Sequence, residues 1–287
     1  MRLRQLVEIT KIARPGFWPT HIWFYVLPFA QIEMFGRPEF WVGVVYVCFP
    51  LSLLLYGWND MGDWETDRNN PRKDSWLFGA KPSESIRNQL PSVITFVQLP
   101  FIAYFWWHAG TKMLLLILGI LLTNYTYNNL GFKKIALLDL LNQAGYLLIF
   151  IFASWLCDVP QLNFAAMVFG AIFAMQSHLF GQLMDIDQDR SAGRKSTAIQ
   201  LGVTRSKILL ASMMTAEAAI AFCNFTGGYV GWYFIAGSVF FAVDALLGPK
   251  RYPLWFLSAF FVGWNIIVIS TIHFIWRDGI FMLATEQ

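Results

Sequence analysis

Residues 41–67 read WVGVVYVCFPLSLLLYGWNDMGDWETD, an apolar run of membrane-spanning length that ends in a cluster of acids. A bilayer span takes about 20 mostly apolar residues, and acids are costly beside hydrocarbon unless a ligand offsets them. A second cluster, DIDQD at 185–189, also follows an apolar segment. Two such clusters in one chain indicate a shared cation site at the ends of membrane helices.

The composition is that of a polytopic membrane protein. Of the 287 residues, 56% are hydrophobic and only 14% are charged, whereas a soluble domain usually carries about 25% charged residues. The net charge of +3 gives no indication of a nucleic-acid partner. Hydropathy predicts nine spans that use most of the length, so we expect a single membrane domain over 1–287. The predicted spans lie at roughly 17–35, 39–58, 90–109, 113–130, 138–157, 163–183, 207–225, 229–247 and 253–275.

The positive charges are distributed very unevenly over the predicted loops. Only three of the 21 Lys and Arg residues, namely Arg37, Lys112 and Arg277, fall in loops on one side. Because cytoplasmic loops carry an excess of Lys and Arg, this asymmetry predicts a protein of the cytoplasmic membrane with its N-terminus inside and its C-terminus outside. Both acid clusters then lie on the cytoplasmic side, in the loops between spans 2 and 3 and between spans 6 and 7.

The acids repeat with the spacing of one helix turn. Asn59, Asp63 and Asp67 recur at four-residue steps, and residues at that spacing share one side of a helix. Asp185 and Asp189 repeat the step in the second cluster. Carboxylate and amide oxygens suit Mg²⁺, which takes one or two carboxylates and is completed by waters and substrate phosphates. No Cys or His stands beside these acids, which argues against zinc or copper.

Basic residues stand beside both acid clusters and in the loop after the fourth span. Arg binds phosphate oxygens in a bidentate fork, and Lys binds them as a point charge. The cytoplasmic mouth is therefore predicted to bind a metal and a diphosphate, while the aromatic-rich spans behind it take a hydrocarbon tail. Prenyl diphosphates combine both parts, although topology alone also demands basic loops. The candidate bases are Arg68, Arg72, Lys73, Lys133, Lys134, Arg190, Arg194 and Lys195.

Four features of the sequence resemble the UbiA superfamily of intramembrane prenyltransferases. The first is the pattern Asn-Asp-x-x-Asp-x-x-x-Asp at 59–67 together with Asp-x-x-x-Asp at 185–189. The second is DRSAGRKSTAIQLG at 189–202, which is similar to the segment after the family's second motif. The others are Tyr125 followed by Lys133-Lys134, and Arg14-Pro15 before the first span. The resemblance covers the whole chain.

The resemblance implies an all-α membrane protein with nine transmembrane helices around a central cavity, capped on the cytoplasmic side by the 2–3 and 6–7 loops. Two Mg²⁺ ions would hold the donor diphosphate through Asp63, Asp67, Asp185 and Asp189, with Asn59 assisting. Ionisation would release pyrophosphate and leave an allylic cation, which the electron-rich carbon of a lipophilic acceptor attacks within the membrane lipid. The residues implied to bind substrate are Asn59, Arg14, Arg72, Tyr125, Lys133, Lys134, Arg194 and Lys195.

One segment departs from the quinone-type members of the superfamily. After the first motif those members have an Arg-Thr…Arg-Pro segment, whereas this chain has NPRKD at 70–74, followed by Gly79-Ala80. This form, together with RPGFW at 14–18, is closer to the lycopene elongase-like members, which extend carotenoids. The departure argues against 4-hydroxybenzoate as the acceptor and does not identify the actual one.

Several polar residues fit no part of the metal and diphosphate pattern. Asp60 and Asp187 fall off the helical stripe and are expected to act indirectly or to face solvent. Asp139 and the Asn-rich stretch 124–129 have two open interpretations, contact with the acceptor or a packing and capping role. His178 lies seven residues before Asp185 and is expected to have a structural role.

Two other functions stay open at this point. A terpene cyclase on the same scaffold would capture the allylic cation within the donor itself, without an acceptor. A transporter would place acids near the bilayer midplane, often at broken spans. The acids of this chain lie at the ends of spans, which favours an enzyme.

Overall fold

The structure is a computed structural model that describes residues 3–68 and 70–283, except for the side chain of Thr66. The regular structure of these residues is helical, apart from three isolated bridges. Five short 3₁₀ turns connect some of the helices. The α-helices are α1 (Leu3–Ile12), α2 (Trp18–Val26), α3 (Pro38–Cys48), α4 (Pro50–Gly62), α5 (Trp64–Asp67), α6 (Glu84–Ala109), α7 (Thr111–Asn128), α8 (Leu138–Leu141), α9 (Leu147–Cys157), α10 (Phe164–Met184), α11 (Ile186–Ser191), α12 (Thr197–Asn224), α13 (Gly231–Leu247) and α14 (Leu254–Asp278).

Eight helical segments of the described chain are long and apolar enough to cross a bilayer, and they match predicted spans 2 to 9. The all-helical membrane architecture is therefore confirmed, and the protein is an integral membrane protein. The predicted first span, 17–35, forms only α2 and a 3₁₀ turn over Leu27–Phe29. Pro28 lies in that turn, and proline lacks the N–H that a continuing α-helix needs. The count of nine crossings stays a prediction.

Although α2 is short, it lies in the interior of the bundle and packs against α3, α9 and α14. Its side chains Phe24 and Tyr25 are buried, and Phe24 stacks on Phe150 of α9 with 5.1 Å between ring centroids. A Cβ at Gly43 of α3 would lie 2.0 Å from the hydroxyl of Tyr25. Small residues at such crossings let membrane helices approach closely, so this glycine permits the α2–α3 contact.

The two acid clusters share one local backbone form. A span ends, a single Asp leaves the helical conformation, and a short helix follows, at Asp63 between α4 and α5 and at Asp185 between α10 and α11. The backbone bonding continues across each break, because Asp67 N–H donates to the Asp63 carbonyl and Asp189 N–H donates to the Asp185 carbonyl, both at 2.9 Å. The predicted four-residue spacing of the acids along one side therefore continues past the end of each span.

Asp139, just inside α8, holds the start of α12 beside the second cluster. Its carboxylate is fully buried and accepts hydrogen bonds from Thr197 N–H at 2.7 Å and from Gln182 Nε2 at 2.6 Å. The Oε1 atom of the same Gln182 accepts from Ala198 N–H at 3.0 Å. Of the two interpretations left open for Asp139, the structure shows the cap, since the unpaired N–H groups at a helix start need such acceptors.

Candidate active site

A central cavity of about 320 Å³ lies beneath the segments that carry the two acid clusters. All five predicted metal-binding residues line it, and we call the end of the cavity beside them its mouth. They are contributed by the ends of two spans and the short helices after them. The deeper lining is largely aromatic and comes from α2, α10, α13 and α14. The lining acids and amide are Asn59, Asp63, Asp67, Asp185 and Asp189, and the deeper aromatic residues include Phe24, Phe173, Tyr233, Phe241, Phe260 and Trp264.

Asp63 of the first cluster is held by two cations. Its Oδ1 atom lies 2.8 Å from Lys133 Nζ and 2.7 Å from Arg194 Nη2. Burial alone would raise the pKa of Asp63, but the charges of Arg194 and Lys133 hold it below its ordinary value. Arg194 also donates to Asp189 Oδ1 at 2.9 Å. Burial nevertheless raises the pKa of Asp189 to about 6, because Arg194 offsets only part of the desolvation.

The other two predicted metal ligands are paired with bases of the first loop. Arg72 Nε donates to Asp185 Oδ1 at 3.0 Å, and Asn70 Nδ2 donates to the same atom at 2.9 Å. Asp67 Oδ2 lies 2.8 Å from Lys73 Nζ, and burial still raises the pKa of Asp67. Arg72 therefore links the first loop to the second cluster, just as Arg194 links the second loop to the first.

Of the two expectations for Asp60, exposure to solvent is wrong, because Asp60 is 1% exposed and anchors two other segments. An indirect role stays a prediction. The Asp60 Oδ1 atom lies 2.8 Å from Arg14 Nη2 and 2.9 Å from Lys73 Nζ. The guanidinium of Arg14 also lies over the ring of Tyr56, 4.4 Å from its centroid. Arg14 in turn lines the central cavity, as do Arg72, Lys73, Lys133 and Arg194.

Three predicted substrate-binding residues lie away from the cavity. Tyr125, Lys134 and Lys195 are exposed, and none of them lines either cavity of the described structure. Their assignment stays a prediction. Tyr127 lines the cavity instead, and the inward pattern of Asn124 and Tyr127 at three-residue spacing was the signal in the sequence that could have identified it.

The donor atoms of the cluster fit a hard divalent cation. They are carboxylate oxygens and one amide oxygen, surrounded by cations that can balance a phosphate. Within residues 3–68 and 70–283, no three acids or histidines converge closely enough to hold an ion by themselves. Mg²⁺ usually takes few protein ligands and completes its shell with substrate phosphates and water.

A second, smaller cavity of about 170 Å³ adjoins the first, between α4, α7 and α9. We call it the side cavity. Its far wall is mostly aliphatic, with Leu51, Leu55, Ile120 and Ile149. A polar wall separates it from the central cavity, and the residues that line both are Arg14, Tyr56, Asn59, Tyr127, Gln143, Tyr146 and His178.

Comparison with known proteins places this architecture in a family. The model of the UbiA prenyltransferase family matches residues 17–252. The chain therefore belongs to the UbiA prenyltransferase family, and the predicted class of enzyme, a prenyltransferase, is confirmed.

Two of its relatives indicate which members of the family this chain resembles. The lycopene elongase/hydratase of Halobacterium salinarum is 28% identical over 245 residues, which cover 83% of this chain and 80% of that protein. The lycopene elongase/hydratase of Haloferax volcanii is 27% identical over 228 residues, covering 76% and 72%. The predicted resemblance to lycopene elongase-like members is thus confirmed. A UbiA homologue from Archaeoglobus fulgidus, solved bound to GPP and Mg²⁺, has the same fold, with a TM-score of 0.65, 17% identity, and coverage of 92% of this chain and 99% of that one.

Proposed function

We propose that this protein transfers a prenyl group from a prenyl diphosphate to a lipophilic acceptor in the membrane and releases pyrophosphate, with Mg²⁺ at the acid clusters. The proposal rests on four acids, two after each of two spans, that line the same aromatic cavity and are paired with basic side chains. The A. fulgidus homologue, solved with DMAPP and Mg²⁺ as well as with GPP and Mg²⁺, supports the same ligands here. The four acids are Asp63, Asp67, Asp185 and Asp189.

The acids and Asn59 would hold two Mg²⁺ ions, which, when bound, stabilise the negative charge that grows on the leaving diphosphate. The bases now paired with the acids are already placed to meet the diphosphate oxygens. Arg72 and Arg194 offer the bidentate fork that such oxygens accept, and Lys73 and Lys133 add point charges. To bind the diphosphate, each of these bases would exchange its carboxylate partner for a phosphate oxygen.

The cavity beneath the acids suits the cation that ionisation leaves behind. Aromatic faces stabilise a nearby cation by about 0.5–2 kcal/mol each, and Phe24, Tyr56 and Tyr127 are among the aromatic residues that line the cavity. The aromatic walls also exclude water, which would otherwise trap the cation as an alcohol.

For the acceptor we propose an electron-rich alkene of a long polyene rather than an aromatic acid. Each Lys and Arg side chain that lines the central cavity is paired with an acid, so the described lining offers no unpaired Lys or Arg to bind a carboxylate. The relatives named lycopene elongase/hydratase favour the same class of acceptor. The uneven Lys and Arg distribution supports a single domain in the cytoplasmic membrane, with its N-terminus inside and its C-terminus outside.

The test uses the full chain purified in lipid nanodiscs, with Mg²⁺, donors from dimethylallyl to geranylgeranyl diphosphate, and a polyene acceptor such as lycopene. We expect release of pyrophosphate together with an acceptor that has gained one prenyl unit in mass. A prenyl hydrocarbon formed from the donor alone would instead identify a cyclase. Absence of pyrophosphate release with every donor, while the protein remains folded, would overturn both enzyme functions.

A further inference from the structure

Two histidine–tyrosine pairs line the central cavity. In one, His178 Nε2 of α10 lies 3.3 Å from the hydroxyl of Tyr127, and the two rings are perpendicular with centroids 5.8 Å apart. In the other, His21 Nε2 of α2 lies 3.3 Å from the hydroxyl of Tyr56. His178 lines the side cavity as well, whereas His21 faces only the central one. Neutral imidazoles beside a carbocation site are candidate proton acceptors.

The two histidines have different hydrogen-bond partners, so a different ring nitrogen carries the lone pair in each. His21 Nδ1 lies 3.2 Å from the carbonyl of Val47 and 2.8 Å from Ser52 Oγ. A carbonyl can only accept, so Nδ1 of His21 carries the proton, and the lone pair on Nε2 receives the Tyr56 hydroxyl. His178 Nδ1 has no hydrogen-bond partner in the described part of the chain. When His178 donates its Nε2–H to the Tyr127 oxygen, the Nδ1 lone pair is left free.

The position of His178 along α10 matches the depth at which the chemistry would occur. It precedes Asp185 by seven residues, so the two lie on the same face about 10 Å apart along the helix axis. A metal ion and a diphosphate held at Asp185 take up most of that distance. The first carbon of the prenyl donor then arrives at the level of His178. The buried acid Glu217 of α12, in contrast, lines neither cavity.

The proposed reaction, on which this inference rests, produces one proton that needs an acceptor. Attack of the acceptor alkene on the allylic cation forms a carbon–carbon bond and moves the positive charge to the other alkene carbon. That cation either loses a proton from an adjacent carbon, whose C–H electron pair becomes the new double bond, or bonds a water oxygen that then loses a proton. The acids at the mouth would be paired with metal and with basic side chains, so we look for the proton acceptor in the cavity wall below them.

We propose that Nδ1 of His178 accepts this proton, and that Tyr127 is a positioning residue whose oxygen accepts Nε2–H and thereby fixes the tautomer. A hydrogen-bond partner of this kind fixes the orientation and the tautomer of a histidine ring. The placement of His178 between the two cavities lets it face a bond that forms between a donor chain in one and an acceptor chain in the other.

The test compares His178→Gln and Tyr127→Phe with the native enzyme and with His108→Gln, an exposed histidine of α6. Pyrophosphate release and coupled product are measured separately, with an acceptor that is deuterated next to the reacting alkene. A general base contributes about 100-fold or more, so we expect His178→Gln to lower coupled product about 100-fold. Pyrophosphate release should fall much less, because ionisation does not use His178, and the surplus donor should appear as prenyl alcohol.

The second variant, the isotope effect and the contrary outcomes complete the test. Tyr127→Phe should lower coupled product about tenfold, because the His178 ring loses the partner that orients it. Both variants should show a larger deuterium isotope effect than the native enzyme. Native rates of both product formation and pyrophosphate release in His178→Gln would assign the proton to another acceptor such as pyrophosphate and overturn the proposal. An equal loss of both rates would show a structural role and overturn it too. If the native enzyme releases no pyrophosphate, the proposed function itself fails.

Discussion

Two halves of the molecule form the mouth of the cavity, one at α4 and α5 and the other at α10 and α11. In the first half, Asp60 precedes Asp63 by three residues and is buried between the charged groups of Arg14 and Lys73. In the second half, the equivalent position before Asp185 is Gln182, which is also buried but forms only neutral and charge-assisted hydrogen bonds. The backbone plan of the two halves is the same, and their anchors differ in charge.

This comparison distinguishes two roles of the polar residues at the mouth: some present charge to the cavity, and others anchor each half to the rest of the chain. Residues on the inward stripe of both halves face the cavity, where the charge can act on a ligand. Asp60 and Gln182, three positions earlier, tie each half to the rest of the chain. Asp60 does so through the N-terminal segment and the loop after α5, and Gln182, which also lines the cavity, does so through the start of α12. Removing one partner of a buried ion pair lowers the free energy of unfolding more than removing a neutral hydrogen-bonding side chain does.

The largest effect should come from the inward stripe. Asp63→Asn and Asp189→Asn, one from each half, should each lower kcat/KM by about a thousandfold, because a misplaced metal forfeits several kcal/mol of leaving-group stabilisation. The two changes together should cost little more than either alone, since the ligands act as a unit. Glu65→Gln, an exposed acid in the same segment, is the matched control for turnover assays. Additive losses would mean two independent metal sites.

The next effect concerns the charged anchor. Asp60→Asn leaves Arg14 and Lys73 buried with less compensating charge, so we expect the free energy of unfolding to fall by about 3–5 kcal/mol. Denaturant unfolding in one detergent, followed by tryptophan fluorescence, measures it. Gln182→Leu, the neutral counterpart, should lose about 1–3 kcal/mol. Equal losses in the two variants would contradict the distinction between a charged and a neutral anchor.

A smaller effect should come from the two arginines that cross between the halves. Arg72→Gln and Arg194→Gln should each raise the KM for the prenyl diphosphate about tenfold or more, since a hydrogen bond to a charged group contributes about 1.5–3 kcal/mol. Steady-state kinetics at saturating Mg²⁺ measures this change. Arg190→Gln removes an exposed arginine of α11 and should leave KM unchanged. A similar rise in that control would point to general attraction by the basic loops instead.

The smallest effect is expected at the outer edge of the second half. Asp187 pairs with Arg251 at 2.7 Å, and the Arg251 side chain is 79% exposed. Surface ion pairs of this kind contribute about 0–1 kcal/mol, so Arg251→Ala should change the free energy of unfolding by less than about 1 kcal/mol. A loss as large as that of Asp60→Asn would show that exposure is not what separates the two acids.

The sequence predicted the helices and the inward stripe because both depend on short-range periodicity. Hydropathy located eight of the crossings, and the four-residue steps placed Asp63 with Asp67 and Asp185 with Asp189. The single-residue breaks at Asp63 and Asp185 did not disturb this, because the backbone bonds continue across them.

The sequence could not decide which of two neighbouring polar residues faces inward. Lys133 lines the cavity while Lys134 is exposed, and Arg194 lines it while Lys195 is exposed. These residues lie in a 3₁₀ turn and in a loop, where the helical phase that orders the stripe does not apply. The sequence could not predict the burial of Asp60 either, because its partner Arg14 is 46 residues away in the chain.

The exchange of partners across the mouth has a thermodynamic consequence. Under the proposed function, a metal ion that binds Asp185 or Asp63 would displace Arg72 or Arg194, and the displaced arginine would then be free to bind phosphate. A diphosphate that draws the arginine away would in turn free the acid for the metal. By reciprocity, each ligand would raise the affinity for the other by the same factor. We therefore expect the mouth of the cavity to bind metal and donor cooperatively.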